Sequence, residues 1–244
     1  MNDVKFTIII PCYNSEKWIT QCVLSALKQT YKNLEVIFVD NESTDGSVDL
    51  VKKIQSEYSE LMMSSAKNIY RHSYQEPVEE ALRLASGDYF TILGSDDYLD
   101  ENYIQNIYNI LSKTNKISIM QSPLYCVRES ENKVVNVIKH QYKSLSEFKE
   151  KLLQGCPVTT PSIVVKKKLY DDGKVKWRSD MYLGVSDYEL YFSLADQNIF
   201  IYPFPKWLGY YYRWNDQQST WGMHREETKY DVLIREEWQK RWKN

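Results

Sequence analysis

Two nearly uninterrupted apolar runs, each followed by residues at helical spacing, constrain this chain more than any other feature. Residues 5–10 are almost all β-branched or apolar, which suits a strand covered on both faces. Pro11 is expected to end it. Trp18, Ile19, Cys22, Val23, Ala26 and Leu27 then form one helical face, with Asn14 placed as the cap and Glu16 in the first turn. A second run, 34–39, ends at Asp40, and a polar stretch leads to a helix carrying Val48, Val51 and Ile54. Strand, helix, strand, helix with short connections predicts an α/β fold: a mostly parallel sheet flanked by helices, with right-handed crossovers.

The alternation continues less regularly. Residues 67–70 read as a third strand, Pro77 as a first-turn residue of a helix reaching Ala85, and 89–93 as a fourth strand. Gly94, Ser95, Asp96 and Asp97 follow, then a helix bearing Tyr103, Ile104, Ile107, Tyr108 and Leu111. Carboxylates thus gather where strands end, and in open α/β sheets ligands collect outside the carboxyl ends of the strands. From residue 117 the pattern changes. A strand at 117–121, two extended runs around 129–132, a capping box at Ser144 and Glu147, a helix at 186–195, strands at 199–202 and 208–214, and a last helix at 226–242 are expected.

Composition excludes some functions. Lys and Arg number 31 against 33 Asp and Glu, so the net charge of -2 gives no electrostatic reason to bind nucleic acid. Cys12, Cys22, Cys126 and Cys156 are scattered without a CxxC pair and read as reduced thiols. No apolar run approaches the roughly 20 residues that cross a bilayer, and the expected location is cytoplasmic. The Gly-rich turn of a nicotinamide enzyme, the GxxxxGK of an NTPase and the Gly-rich first loop of sugar-nucleotide-forming enzymes are missing. Asp96 and Asp97, adjacent at a strand end, offer oxygens to a hard divalent cation; the alternative is that Asp97 only caps the next helix.

Three segments carry a resemblance. Ile8-Ile9-Ile10-Pro11-Cys12-Tyr13-Asn14, then Val39-Asp40-Asn41-Glu42-Ser43-Thr44-Asp45-Gly46-Ser47, then Ala85-Ser86-Gly87-Asp88-Tyr89 leading to Ser95-Asp96-Asp97, resemble the ordered signatures of inverting GT-A-fold glycosyltransferases of the large second family. The resemblance implies a Rossmann-like, mostly parallel sheet with a mixed acceptor side, in one continuous domain: a donor-binding half over 1–121 and an acceptor-binding half over 122–244. It implies transfer of a hexosyl or N-acetylhexosaminyl group from a nucleoside-diphosphate donor, expected to be a UDP-sugar. The acceptor would be a hydroxyl of a glycan or lipid-linked saccharide, in bacterial surface glycan synthesis.

Residue by residue, the resemblance assigns Pro11, Tyr13 and Asp40 to the uracil end of the donor, adds Ser95, and gives Asp96 the Mn2+ or Mg2+ on the diphosphate. Asp97 and His224 are further candidate ligands of that ion. Arg213, in a late Tyr-Arg strand, would face the diphosphate, and Asp187, at the start of a helix, would be the catalytic base. Asn14 and Asp45 read as structural caps. Gly94 stands where the DxD-type motif has its first Asp, Ser186 where the base is preceded by Glu, and Val78-Glu79 where an Arg-Asn pair is common. The alternative reading is a catalytically silent sugar-nucleotide-binding protein of the same fold. Ile234, Trp238 and Trp242 share one side of the last helix near Arg235, Lys240, Arg241 and Lys243. That side could meet the inner face of a membrane; packing on the domain, or on a second copy, is the expected use.

Overall fold

The computed structural model describes residues 4–70, 73–215 and 229–243. The first half runs β1 (Phe6–Cys12), α1 (Ile19–Leu27), β2 (Leu34–Asp40), α2 (Ser47–Gln55), β3 (Leu61–Ser65), α3 (Gln75–Leu84), β4 (Tyr89–Ile92), β5 (Tyr98–Leu99), α4 (Tyr103–Leu111) and β6 (Ile119–Gln121). It continues with β7 (Leu124–Arg128), β8 (Lys133–Ile138), α5 (Leu145–Leu152), a 3-10 turn (Thr160–Ser162), β9 (Val164–Lys166) and α6 (Lys167–Asp171). Last come α7 (Ser179–Tyr182), α8 (Ser186–Asp196), β10 (Ile201–Pro203), β11 (Tyr210–Trp214) and α9 (Lys229–Lys243).

Seven strands form the main sheet in the order β10-β6-β9-β4-β1-β2-β3, and β5-β11-β7-β8 form a smaller one. The strands β4, β1, β2 and β3 are parallel neighbours, whereas β9 is antiparallel to both β4 and β6. The near-continuous apolar strands are explained by the two cores they serve. Ile8, Ile10, Val36 and Phe38 face a cluster with Ile19, Val23, Val51, Ile104 and Ile107, from α1, α2 and α4. Ile9, Ile37, Val39 and Phe90 face the opposite cluster with Val78, Phe148, Phe192 and Trp238, from α3, α5, α8 and α9. Alternate residues of one strand therefore enter opposite cores.

Four sequence expectations are corrected. The third strand is β3, not 67–70; Ile69 is exposed. Pro11 lies inside β1 instead of ending it. The pairing of β1 with β4 stops at Ile9 and Ile92, so beyond that point β1 needs no donor on that side. Asn14 does not cap α1, which begins at Ile19 behind Trp18. Asp97 is not the cap of α4, whose preceding residue is Asn102.

The capping box is present: the Ser144 hydroxyl accepts from the Glu147 amide at 3.2 Å. The last helix packs on the domain through the side that was expected to be its apolar one. Trp238 and Trp242 meet Phe192 with ring centroids 5.9 and 5.3 Å apart, and Arg241 pairs with Asp196 at 2.7 Å. Among the described residues no helix is long and apolar enough to cross a membrane.

Candidate active site

At the carboxyl ends of β1 and β2, two loops are laced together by short polar side chains. Parallel pairing sets Cys12 beside Asp40, and the Asn41 amide donates to the Cys12 carbonyl at 2.8 Å. Both Asp40 oxygens accept from the Ser43 amide, at 3.2 and 3.3 Å. Asn14 sits at φ 50°, a left-handed conformation that Asn tolerates better than most residues. From there its amide donates to the Ser43 hydroxyl at 3.0 Å and its Oδ1 accepts from the Thr44 amide at 2.7 Å. Asp45 accepts from the amides of Ser47 and Glu16, both at 3.0 Å, so it serves the start of α2 and ties it to the first loop. Tyr13, half exposed, lies on this loop, and Asn41, buried beside Asp40, has an Oδ1 without a hydrogen-bond partner.

The loop after β4 joins the same edge, with the hydroxyls of Ser15 and Ser95 2.6 Å apart. Within it the two adjacent acids point to different environments. Asp97 is only 2% exposed. Its Oδ2 accepts from the Tyr210 hydroxyl at 2.8 Å and its Oδ1 from the Arg213 amide at 2.7 Å. Burial, and then the nearby charge of Asp96, push its carboxyl well above the usual range. The carboxylate faces the core and fastens β11. Asp96 is partly exposed, with its Oδ2 accepting from the Asn215 side chain at 3.0 Å.

Gly94 explains the missing first Asp of the motif. A Cβ there would come within 2.8 Å of Asp97 Oδ2 and 3.3 Å of Asp96 Oδ1. Arg213 is buried, and its Nε donates to the Asp96 carbonyl at 2.6 Å while one terminal nitrogen donates to Gln21 at 2.6 Å. The guanidinium lies over Tyr98, 5.1 Å from the ring centroid. These contacts make Arg213 a brace of the 94–97 loop. His224 lies outside the described residues.

Asp187 reaches this edge from the other half of the chain. Antiparallel pairing sets Thr91 opposite Val164, and the Thr91 hydroxyl donates to the Ile163 carbonyl at 2.9 Å. Followed backwards from β9, the chain enters the turn Thr160–Ser162 beside the carboxyl end of β4, where Gly94 begins the acidic loop. Thr160 Oγ1 donates to Asp187 Oδ2 at 3.0 Å, and the Tyr188 amide donates to Asp187 Oδ1 at 2.8 Å. The acidic loop that carries Asp96 and the turn that meets Asp187 thus both adjoin the carboxyl end of β4. Burial raises the pKa of Asp187, Thr160 and the Tyr188 amide oppose the rise, and Asp231 adds to it. Ser186, in the place of the expected Glu, is buried in a hydroxyl chain: 3.0 Å to Ser179, which is 2.7 Å from Ser73.

Sequence reasoning missed Thr160, Tyr210, Asn215 and Gln21. Only Thr160 had a local signal, a Thr-Thr-Pro-Ser segment suited to a tight turn.

Residues 7–172 match the model of the family described as Glycosyl transferase family 2. The chain is 30% identical, over 79% of its length and 71% of the other, to the Escherichia coli UDP-Glc:alpha-D-GlcNAc-diphosphoundecaprenol beta-1,3-glucosyltransferase WfaP. It is 27% identical, over 76% of its length, to an uncharacterized glycosyltransferase of Haemophilus influenzae, of which it spans 58%. The crystal structure of S. aureus TarS 1-349 in complex with UDP superposes with a TM-score of 0.69 at 21% identity, over 86% of this chain and 61% of that one. The matched segment holds the laced loops, Asp40 and the 94–97 turn, and ends before Asp187 and Arg213; on that match, the chain belongs to glycosyl transferase family 2.

Proposed function

We propose that this chain is an inverting glycosyltransferase that moves a sugar from a UDP-sugar to a hydroxyl of a glycan or lipid-linked saccharide in bacterial surface glycan synthesis. The observation that supports the reading is at the carboxyl end of β4: the loop bearing Asp96 leaves the strand there, and the turn beside it carries Thr160, whose hydroxyl donates to Asp187 at 3.0 Å. UDP, which TarS binds, and UDP-glucose and a diphosphoundecaprenol-linked sugar, named for WfaP, indicate the donor and acceptor classes.

Inversion requires one carboxylate to accept the proton of the attacking hydroxyl on the face opposite the leaving diphosphate. Asp187 serves as that base. Each of its oxygens takes one protein hydrogen bond and keeps a further lone pair for the incoming proton. Asp40, Pro11 and Tyr13 line the nucleoside end, and Ser95 adjoins the diphosphate. Among the described residues no three acidic, His or Cys side chains form a closed metal cage. A single partly exposed carboxylate still fits Mg2+ or Mn2+, which are held through one or two carboxylates together with substrate phosphates and water. Asp96 would hold such an ion, whose charge, when bound, stabilises the departing diphosphate.

Thermal shift with UDP and UDP-glucose, with and without Mn2+, tests donor binding, since a ligand of the folded state alone raises its stability. Asp187→Asn is expected to keep that shift and to lose transfer by at least about 100-fold; Asp96→Ala is expected to lose the Mn2+-dependent part of the shift. Wild-type transfer by the Asp187→Asn variant would end the proposal.

A further inference from the structure

We propose that Thr160 is a positioning residue for this reaction: its hydroxyl, fixed by Tyr191 from behind, orients the Asp187 carboxylate. The inference rests on the reading of Asp187 as the base. A threonine hydroxyl has one proton to give and two lone pairs. The Tyr191 hydroxyl donates to Thr160 Oγ1 at 2.9 Å, occupying a lone pair, and Thr160 Oγ1 donates its own proton to Asp187 Oδ2 at 3.0 Å. The relay has a direction, and it ends on the carboxylate.

The turn that carries Thr160 is bolted in place. The Thr159 hydroxyl donates to the Ser122 carbonyl at 2.9 Å, the Ser162 hydroxyl donates to the same carbonyl at 2.6 Å, and the Thr159 amide donates to Gln121 Oε1 at 2.7 Å. All four of these residues are nearly or fully buried, as is Tyr191. Thr160 therefore approaches Asp187 from a rigid support at the end of β6, and Tyr191, one turn along α8 from Asp187, holds the relay from the helix side.

The surroundings give the hydroxyl work to do. Tyr74 before α3, Cys156 before the turn, Tyr191 on α8 and Asp231 on α9 all lie within electrostatic reach of Asp187, and Arg235 of α9 lies against Tyr188. Burial and the Asp231 charge favour the protonated acid, which cannot act as a base. The Thr160 bond favours the carboxylate and fixes its plane.

The test is a carbon-13 carboxyl NMR titration of the ligand-free protein, with the Asp187 resonance assigned by its loss in Asp187→Asn. Thr160→Val is expected to raise the Asp187 midpoint by about one pH unit, since a hydrogen bond to a charged group is lost. Thr160→Ser restores the wild-type midpoint, and Tyr191→Phe raises it by less. An unchanged midpoint in Thr160→Val overturns the proposal. Should that variant not fold, Tyr191→Phe decides, and an unchanged midpoint there overturns it equally. The titration reads the carboxyl and not the reaction, so its failure is distinct from transfer surviving in Asp187→Asn.

Discussion

Glu35 offers a sharp test of how the amino edge of the sheet is held. It lies near the start of β2, only 7% exposed, and its carboxylate collects donors from two segments, residues 5–7 and 86–87. Thr7 Oγ1 donates at 2.7 Å, the Ser86 amide and hydroxyl each at 2.7 Å, the Gly87 amide at 3.1 Å, and Lys5 Nζ lies 2.7 Å away. Burial alone would raise its pKa, but the bonds from Lys5, Ser86 and Thr7 outweigh it and bring the group from 4.5 down to about 2. One pH unit is about 1.4 kcal/mol, so the ionised group stabilises the fold by about 3 kcal/mol. Because the folded pKa is the lower one, this stabilisation is complete above pH 4.5 and disappears as pH falls towards 2. Glu35→Gln keeps the shape and loses the charge. Urea unfolding is expected to show a deficit of about 3 kcal/mol at pH 7, shrinking steadily below pH 4.5. A deficit under about 1 kcal/mol at pH 7, or one that stays constant down to pH 3, would refute the reasoning.

Two further substitutions probe the same frame. Gly87→Ala sets a Cβ 2.5 Å from Thr7 Oγ1 and 2.8 Å from the Thr7 amide nitrogen. Backbone cannot yield as a side chain does, and differential scanning calorimetry is expected to show a loss of about 2–3 kcal/mol, or roughly 5–10 °C in Tm. Gly94→Asp, which restores the fuller acidic motif, crowds the Asp97 oxygen held by Tyr210. It is expected to lower stability by about 1–3 kcal/mol in the absence of metal, and an unchanged or higher melting temperature would contradict that.

The parallel core was legible because both faces of β1 and β2 are covered: an apolar run of that length next to a helical stripe leaves few alternatives. Strand β3 was misplaced because Leu61, Met62, Met63, Ser64 and Ser65 carry no β-branched residue, and only their register against β2 makes them a strand. The two- and three-residue strands β5 and β9 likewise depend on partners far away in the chain. The acidic loop shows the same limit within the site. Asp96 and Asp97 are adjacent carboxylates whose surroundings no local pattern distinguishes, and what separates them is Tyr210 and the Arg213 amide, more than a hundred positions later. The position of Asp187 on its helix could be read locally, whereas its support by Thr160 and Tyr191 required the fold.

The signature segments divide into two tasks at opposite edges of the sheet. Cys12, Asp40 and Ser95 lie where the strands end, but Ser86, Gly87 and Asp88 lie where β4 begins, gathered under Glu35 and Lys5. The Lys5 amide donates to Asp88 Oδ2 at 2.9 Å and the Asp88 amide returns to the Lys5 carbonyl at 2.7 Å, which locks the start of β4 against β1. A strand slipped by one residue turns every side chain to the other face. For β4 that slip would exchange the cores served by Phe90 and Thr91 and carry the 94–97 turn with it. The clamp at the amino edge therefore fixes, some distance away, which acid of the pair meets Tyr210 and which remains partly exposed. A segment at the amino edge can thus matter to the acidic loop without lying beside it, because the geometry of that loop depends on the register the segment enforces.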